Sequence, residues 1–346
     1  MNLRQWARRI AYRHVGGTGL VLIYHRVADL ERDPQLLAVS PATFDAQMAV
    51  LAERFRVVPL SELVGSLRRK RVAARSVGVT FDDGYADNLL TAAPVLQAHC
   101  VPATVFVSSG YVDAGREFWW DEIERLVLSP GALPERIDLA AGAATFTADL
   151  SRTATYSAHD AEAHVGWDVT TTEPESGERQ RLYADLCAFV RPLLVEAREQ
   201  VLAQLREAAG ASQQVRETHR PLTAAEVRHL DAMGLVEVGA HTRDHALLSA
   251  LPIEAQHGQI ERDRRELTSI LGHAPALFSY PYGGLEAYSD ASAGLVARTG
   301  YEGACANHAA VVKPWTDPYR IPRISVGDVD AESFSATLAG WFDDPR

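Results

Sequence analysis

Apolar residues occur along this chain in short unbroken runs, each followed by a stretch of helical spacing. Leu20–Tyr24, Ser76–Phe81, Pro102–Val107, Leu235–Val238 and Ala276–Ser279 are too short for buried helices and lack polar alternation. They read as strands buried on both faces. Between them, Phe44, Met48, Leu51 and Phe55 mark one face of a helix that Ser40 caps and Pro41 begins. Leu89, Ala92, Ala93 and Leu96 do the same for 88–99. Thr223 and Glu226 form a capping box before another helix, and Gly272 and Gly300 close helices over 252–271 and 289–299. Strands alternating with helices predict βαβα winding around a parallel sheet or barrel. The rhythm changes at Gly115 and resumes at Pro221. The stretch 115–220 therefore reads as a mostly helical insertion in a barrel domain spanning 18–330. A helix at 1–17 precedes this domain and one at 331–346 follows it. Phe118-Trp119-Trp120 either anchors the insertion or walls a cleft.

The chemistry collects where the predicted strands end. Ser76–Phe81 runs into Asp82-Asp83-Gly84. Asp-Asp-Gly is common in turns, but acids at the carboxyl end of a buried strand sit where parallel α/β folds bind ligands. Neighbours on a strand point to opposite sides, so the two acids should have different tasks. His241 and His245 follow the strand ending at Val238, four residues apart. On a helical turn that spacing puts two imidazoles on one face, a common way to hold a divalent metal. A catalytic site needs a third protein ligand, and Asp82 and Asp83 are the obvious suppliers. Arg243 and Asp244, between the histidines, either orient neighbours or form a solvated loop.

Composition narrows the classes. A net charge of -11 over 346 residues excludes non-specific nucleic-acid binding. Arg4, Arg8, Arg9 and Arg13 make the N-terminus basic, which suits a solvated helix face or a peripheral membrane contact. The three cysteines are far apart and form no zinc or disulfide pattern. No apolar run approaches the roughly 20 residues of a membrane span, and Met1–Val15 lacks a signal-peptide core. A cytoplasmic protein is the expectation.

Thr80-Phe81-Asp82-Asp83-Gly84-Tyr85 and His241-Thr242-Arg243-Asp244-His245 resemble the first two motifs of the polysaccharide deacetylase family, also called the NodB homology domain or carbohydrate esterase family 4. Phe278-Ser279-Tyr280-Pro281-Tyr282-Gly283 resembles its third motif, and Ile321-Pro322-Arg323-Ile324 a late motif of one subgroup. The resemblance covers roughly 18–112 and 221–330. It implies a distorted (β/α) barrel and a metal-dependent hydrolase acting on N-acetylated sugars. By the same resemblance Asp83, His241 and His245 hold the metal, Asp82 is the general base, and the Tyr282 N–H faces the developing oxyanion. Two departures stand out. Ser279 occupies a position where many members carry arginine, which Arg323 would replace by reaching Asp82. No late Leu-x-x-His motif supplies a general acid, which makes His25, after the first strand, the substitute. A structural histidine at the barrel rim is the other reading of His25. Tyr282, Tyr85 and Tyr280 are the aromatic candidates for stacking on a sugar.

The expected reaction is removal of acetyl from an N-acetylhexosamine unit of a glycan, glycolipid or sugar precursor. A lipid- or nucleotide-linked precursor suits a chain without an export signal. A deformylase or other amidase would use the same groups, and a catalytically silent carbohydrate-binding protein would use the same fold. Two imidazoles and a carboxylate suit zinc as the default, with cobalt, nickel and iron(II) compatible.

Overall fold

In the computed structural model the described residues are 17–171 and 177–343. The predicted N-terminal helix and its four arginines lie outside them. The chain divides into two units. The first comprises 17–29, 38–112 and 222–343, and the second 30–37 and 113–221.

The first unit is wound around one parallel sheet. Its strands are β1 (Gly19–Tyr24), β2 (Arg56–Val57), β3 (Ser76–Phe81), β4 (Ala103–Val107), β5 (Val236–Ala240), β6 (Leu277–Ser279), β7 (Gly303–Cys305) and β8 (Ile324–Ser325). The order across the sheet is β7-β6-β5-β4-β3-β1-β8, with β2 beside the start of β3. Thus β2 pairs with Ser76 and Val77, and β4 takes over the same edge from Val79 onward. Every residue of β1 and β3 is buried, as expected of strands covered on both faces. The segment leading into β8 touches both edges of the sheet. Ile321 bridges to Cys305 of β7, and Ile324 pairs with Leu22 of β1. The sheet thereby curls into a distorted (β/α) barrel.

Helices α1 (Pro41–Arg54), α2 (Leu60–Arg68), α3 (Ala93–Ala98), α4 (Ala224–Ala232), α5 (Ile253–Leu271), α6 (Asp290–Thr299) and α7 (Ala331–Asp343) belong to this unit. The predicted caps form. Ser40 accepts the Thr43 N–H, and the Thr223–Glu226 box closes in both directions. The helix predicted over 88–99 opens instead with a π-helical turn, Asn88–Ala92, before α3. Beneath the strand ends, Tyr24, Phe44 and Phe81 pack at centroid distances of 5.3–5.7 Å. Tyr24 and Phe81 are the last residues of β1 and β3, so His25 and Asp82 leave the sheet from a rigid aromatic base.

The second unit holds strands beside the helices expected over 115–220. Helices Trp119–Leu128, Glu178–Val190 and Val195–Ala208 share it with a hairpin, Arg136–Ala141 against Ala144–Asp149. The helical run predicted across 179–209 breaks after Val190. Pro192 follows there and has no N–H to continue the ladder. Trp119 and Trp120 are buried within this unit, which makes them core residues. Leu30–Leu37 also belongs to it. Arg32 Nε donates to Glu124 at 2.8 Å and Gln35 Nε2 to the Tyr183 hydroxyl at 2.8 Å. Buried Glu117 accepts from the backbone N–H and Nε of Arg216 and from Nε of Arg125. No helix among the described residues is long and apolar enough to cross a membrane.

Candidate active site

The site is built at the carboxyl ends of β1, β3, β5 and β6. Asp82 follows Phe81 directly, and its backbone N–H donates to the Tyr24 carbonyl, so the β1–β3 ladder extends into the first acid. The chain then turns sharply. Asp83 and Gly84 have φ of +74° and +83°. A Cβ at Gly84 would stand 3.1 Å from a Val107 methyl, so glycine is required both for φ and for the close approach to β4.

Asp82 and Asp83 point to different partners. Arg323, just before β8, is fully buried and grips Asp82 with a two-pronged fork, Nη1 to Oδ1 and Nη2 to Oδ2, each at 2.7 Å. The same guanidinium donates to Ser279 Oγ at 2.8 Å, Thr80 Oγ1 at 3.2 Å and the Ala306 carbonyl at 3.1 Å. Ser279 Oγ in turn donates to Asp82 Oδ2 at 3.1 Å. The small serine leaves the space that Arg323 fills from another strand. Burial pushes the Asp82 carboxyl up, but the Arg323 fork, with His241 nearby, outweighs it and holds the group below the usual carboxylate range.

Asp83 faces the two histidines. Its Oδ1 lies 3.2 Å from His245 Nε2 and 3.6 Å from His241 Nε2. The ligand atoms of Asp83, His241 and His245 all lie within 4.8 Å of one another, and all three residues are buried. His241 Nδ1 sits 2.8 Å from the Ser279 carbonyl. A carbonyl only accepts, so Nδ1 carries the proton and Nε2 turns its lone pair toward Asp83. Asp83 Oδ1 itself is buried without a hydrogen bond. Lone pairs converging on a buried point fit a divalent cation with nitrogen and oxygen ligands, and little else. Burial again pushes Asp83 up, but positive charge and N–H donors on the facing imidazoles, where these are protonated, outweigh it and hold the carboxyl far below the ordinary range.

The loop 241–245 is pinned to α5. Asp263, fully buried, accepts the N–H groups of Ser109 at 2.9 Å and His241 at 2.8 Å. Gln259 exchanges two hydrogen bonds with Asp244, and Glu266 takes Arg243 at 2.9 Å. Arg243 and Asp244 thus fasten this loop to the helix. Four of the non-glycine residues with left-handed φ belong to the site: Asp83 (+74°), Thr242 (+61°), His245 (+50°) and Tyr282 (+62°). Such conformations cost of order 1–3 kcal/mol each and persist only where surroundings impose them.

The aromatic candidates part company. The Tyr282 ring is half-buried and meets the His245 ring edge-on at 4.7 Å. Tyr85 and Tyr280 are fully buried, which removes both from the candidates for sugar stacking. Tyr85 lies under the Arg26 guanidinium at 4.2 Å, and Tyr280 stacks on Tyr288 at 4.0 Å with its hydroxyl on the Tyr319 carbonyl. His25 is half-buried, and a positive charge on it would stabilise both Asp82 and Asp83. Its carbonyl accepts from Asn88 Nδ2, and neighbouring Arg26 pairs with Asp87 at 3.0 Å. Sequence reasoning missed Asp263, although a charge in line with Ile260 and Leu267 was there to be read.

A parallel barrel whose strand ends carry an Asp-His-His cluster beside a second, arginine-paired aspartate defines a class of proteins with a candidate cation site at the carboxyl edge of the sheet. The sequence profile of the polysaccharide deacetylase family matches residues 69–133 and 200–304. This chain belongs to the polysaccharide deacetylase family. No curated protein matches the sequence. Among solved structures, the deacetylase PplD of Streptococcus pyogenes, in complex with acetate, superposes with a TM-score of 0.57 at 15% identity, covering 93% of this chain and 99% of that one. IcaB from Ammonifex degensii gives 0.56 at 19% identity, covering 94% and 98%. A de-N-acetylase from Aggregatibacter actinomycetemcomitans gives 0.55 at 15%, covering 93% and 99%. At these identities the likeness concerns the fold.

Proposed function

We propose that this chain is a metal-dependent hydrolase that removes acetyl from an N-acetylhexosamine unit of a glycan, glycolipid or sugar precursor. The observation that carries the reading is the division between the two acids: Asp83 turned to two imidazoles, Asp82 to an arginine fork. Asp83, His241 and His245 would hold the metal, with zinc the default for this ligand set. When bound, the ion supplies Lewis-acid polarisation of the acetamide carbonyl and a lowered pKa for water. Asp82, kept ionised by Arg323, takes the proton from the attacking water. Ser279 and Arg323 fix its orientation and limit its basicity. The backbone N–H of Tyr282 faces the oxygen on which negative charge develops. His25, across from both acids, delivers a proton to the departing amine.

The test is acetate release from N-acetylhexosamine compounds, free, nucleotide-linked and lipid-linked, with and without chelator. Release should depend on metal and fall by about 10²–10⁴-fold in Asp82→Ala. Formate release from N-formyl analogues, with no acetate from any acetylated compound, would replace this reading by a deformylase.

A further inference from the structure

A half-open surface pocket lies in the barrel unit, outside the cluster just described. Leu285, Tyr288, Ser289, Asp290, His308 and Arg320 line about 220 Å³ of space. That is space for several waters, far more than a single ion needs. Three of the lining residues leave a polar atom buried without a hydrogen bond: the Tyr288 hydroxyl, His308 Nδ1 and Arg320 Nε. Tyr288 is 7% exposed. Buried polar groups are normally satisfied, and three exceptions around one cavity point to a partner from solution.

The surroundings narrow that partner. Arg320 is already compensated, by Asp290 in direct contact and by Asp317 at 3.7 Å. Burial lowers the His308 pKa, so the imidazole is neutral near pH 7. The cavity therefore offers a phenol, an imidazole and one N–H of a neutralised guanidinium, beside the exposed apolar side chain of Leu285. That mixture of donors and acceptors suits hydroxyl groups on an apolar frame better than a phosphate.

Its place relates it to the first site. Leu285 is three residues after Tyr282, a reach of at most about 11 Å. His308 follows Asn307, whose N–H donates to the Gly283 carbonyl at 2.7 Å. A Cβ at Gly283 would lie 2.6 Å from Asn307, so this contact is tight. We infer that the cavity is a subsite for one neutral hexose unit, placed beside the reacting unit by the 282–288 loop. The inference rests on the de-N-acetylase reading only in treating that hexose as part of the same substrate.

The test uses the full chain with zinc added and ring-labelled histidine. It is titrated with neutral gluco-, manno- and galacto-configured trisaccharides, which carry no amide and are not turned over, and separately with inorganic phosphate. One saccharide should shift the His308 ring signals saturably, identified by their loss in His308→Gln. Tyr288→Phe keeps the ring stacked on Tyr280 and should weaken that binding about five-fold, the worth of one hydrogen bond. With acetylated oligosaccharides the same variant should raise KM and leave kcat unchanged. A shift with phosphate alone, or with nothing, overturns the subsite. A saccharide shift in protein that releases no acetate sustains the subsite and removes the reading of the first site. Acetate release with silent His308 signals does the reverse.

Discussion

At the scale of single residues, Asp82 and Arg323 act as one unit. Arg323→Lys keeps the charge but loses the fork, and a point ammonium does not replace two parallel N–H donors. It should lower kcat/KM at least ten-fold and leave metal content, read by elemental analysis, unchanged. Arg323→Met leaves a buried carboxylate without its cation and should also destabilise the fold by about 3–5 kcal/mol in denaturant unfolding. Retention of full activity in both would exclude Asp82 as a base tuned by Arg323. The paired acids and the two histidines were legible in the sequence because each pair follows a recognisable strand, whereas Arg323, just ahead of β8, was reached through the resemblance of Ile321-Pro322-Arg323-Ile324 to a late family motif. Tyr85 and Tyr280 were not. A motif shows that an aromatic is near a strand end but not whether its ring faces solvent or Arg26 and Tyr288.

At the scale of elements, α5 positions the histidine loop. Its buried positions are Gln256, Ile260, Asp263 and Leu267, so Asp263 occupies a core stripe. Burial pushes its carboxyl up to about 7, while the N–H groups it accepts pull the other way. Asp263→Asn turns one acceptor into a donor facing an N–H and should cost about 1–3 kcal/mol, measured by urea unfolding. Metal affinity should fall with it, because His241 loses its backbone anchor. In the second unit, Glu117→Ala would take one carboxylate partner from each of Arg125 and Arg216, which keep Glu122 and Glu124. A loss of about 1–3 kcal/mol in denaturant unfolding is expected. The hairpin there escaped notice because only its first strand alternates strongly: Ile137, Leu139 and Ala141 are buried between Arg136, Asp138 and Ala140, whereas Ala144–Asp149 offers Phe146 as its one large apolar residue and buries none fully. Period two is faint when one strand of a pair carries almost all of it. The main strands of the barrel, by contrast, are unbroken apolar runs with caps on the helices between them, and those signals survive into the fold.

At the scale of the whole molecule, metal and fold should be linked. A cation that binds only the folded barrel stabilises it by about 2.7 kcal/mol at a hundred times its Kd. Zinc added to chelator-stripped protein should therefore raise the barrel's Tm, and His241→Ala should abolish the rise. A melting curve indifferent to zinc, cobalt and nickel alike would count against the cluster as a cation site. The segment from Ile321 to Ser325 both closes the sheet and carries the guanidinium that holds Asp82. On the ribosome these residues are made late. Arg323 follows Asp82 by 241 positions, which at about 5–20 residues per second is ~12–48 s of synthesis. His245 is made 78 positions before Arg323, so for the last ~4–16 s of that interval the growing chain carries its aspartates and histidines but lacks the guanidinium that grips Asp82. On the proposed role of Asp82, synthesis of Arg323 is what arms the acid, and a chain truncated before Arg323 should release no acetate.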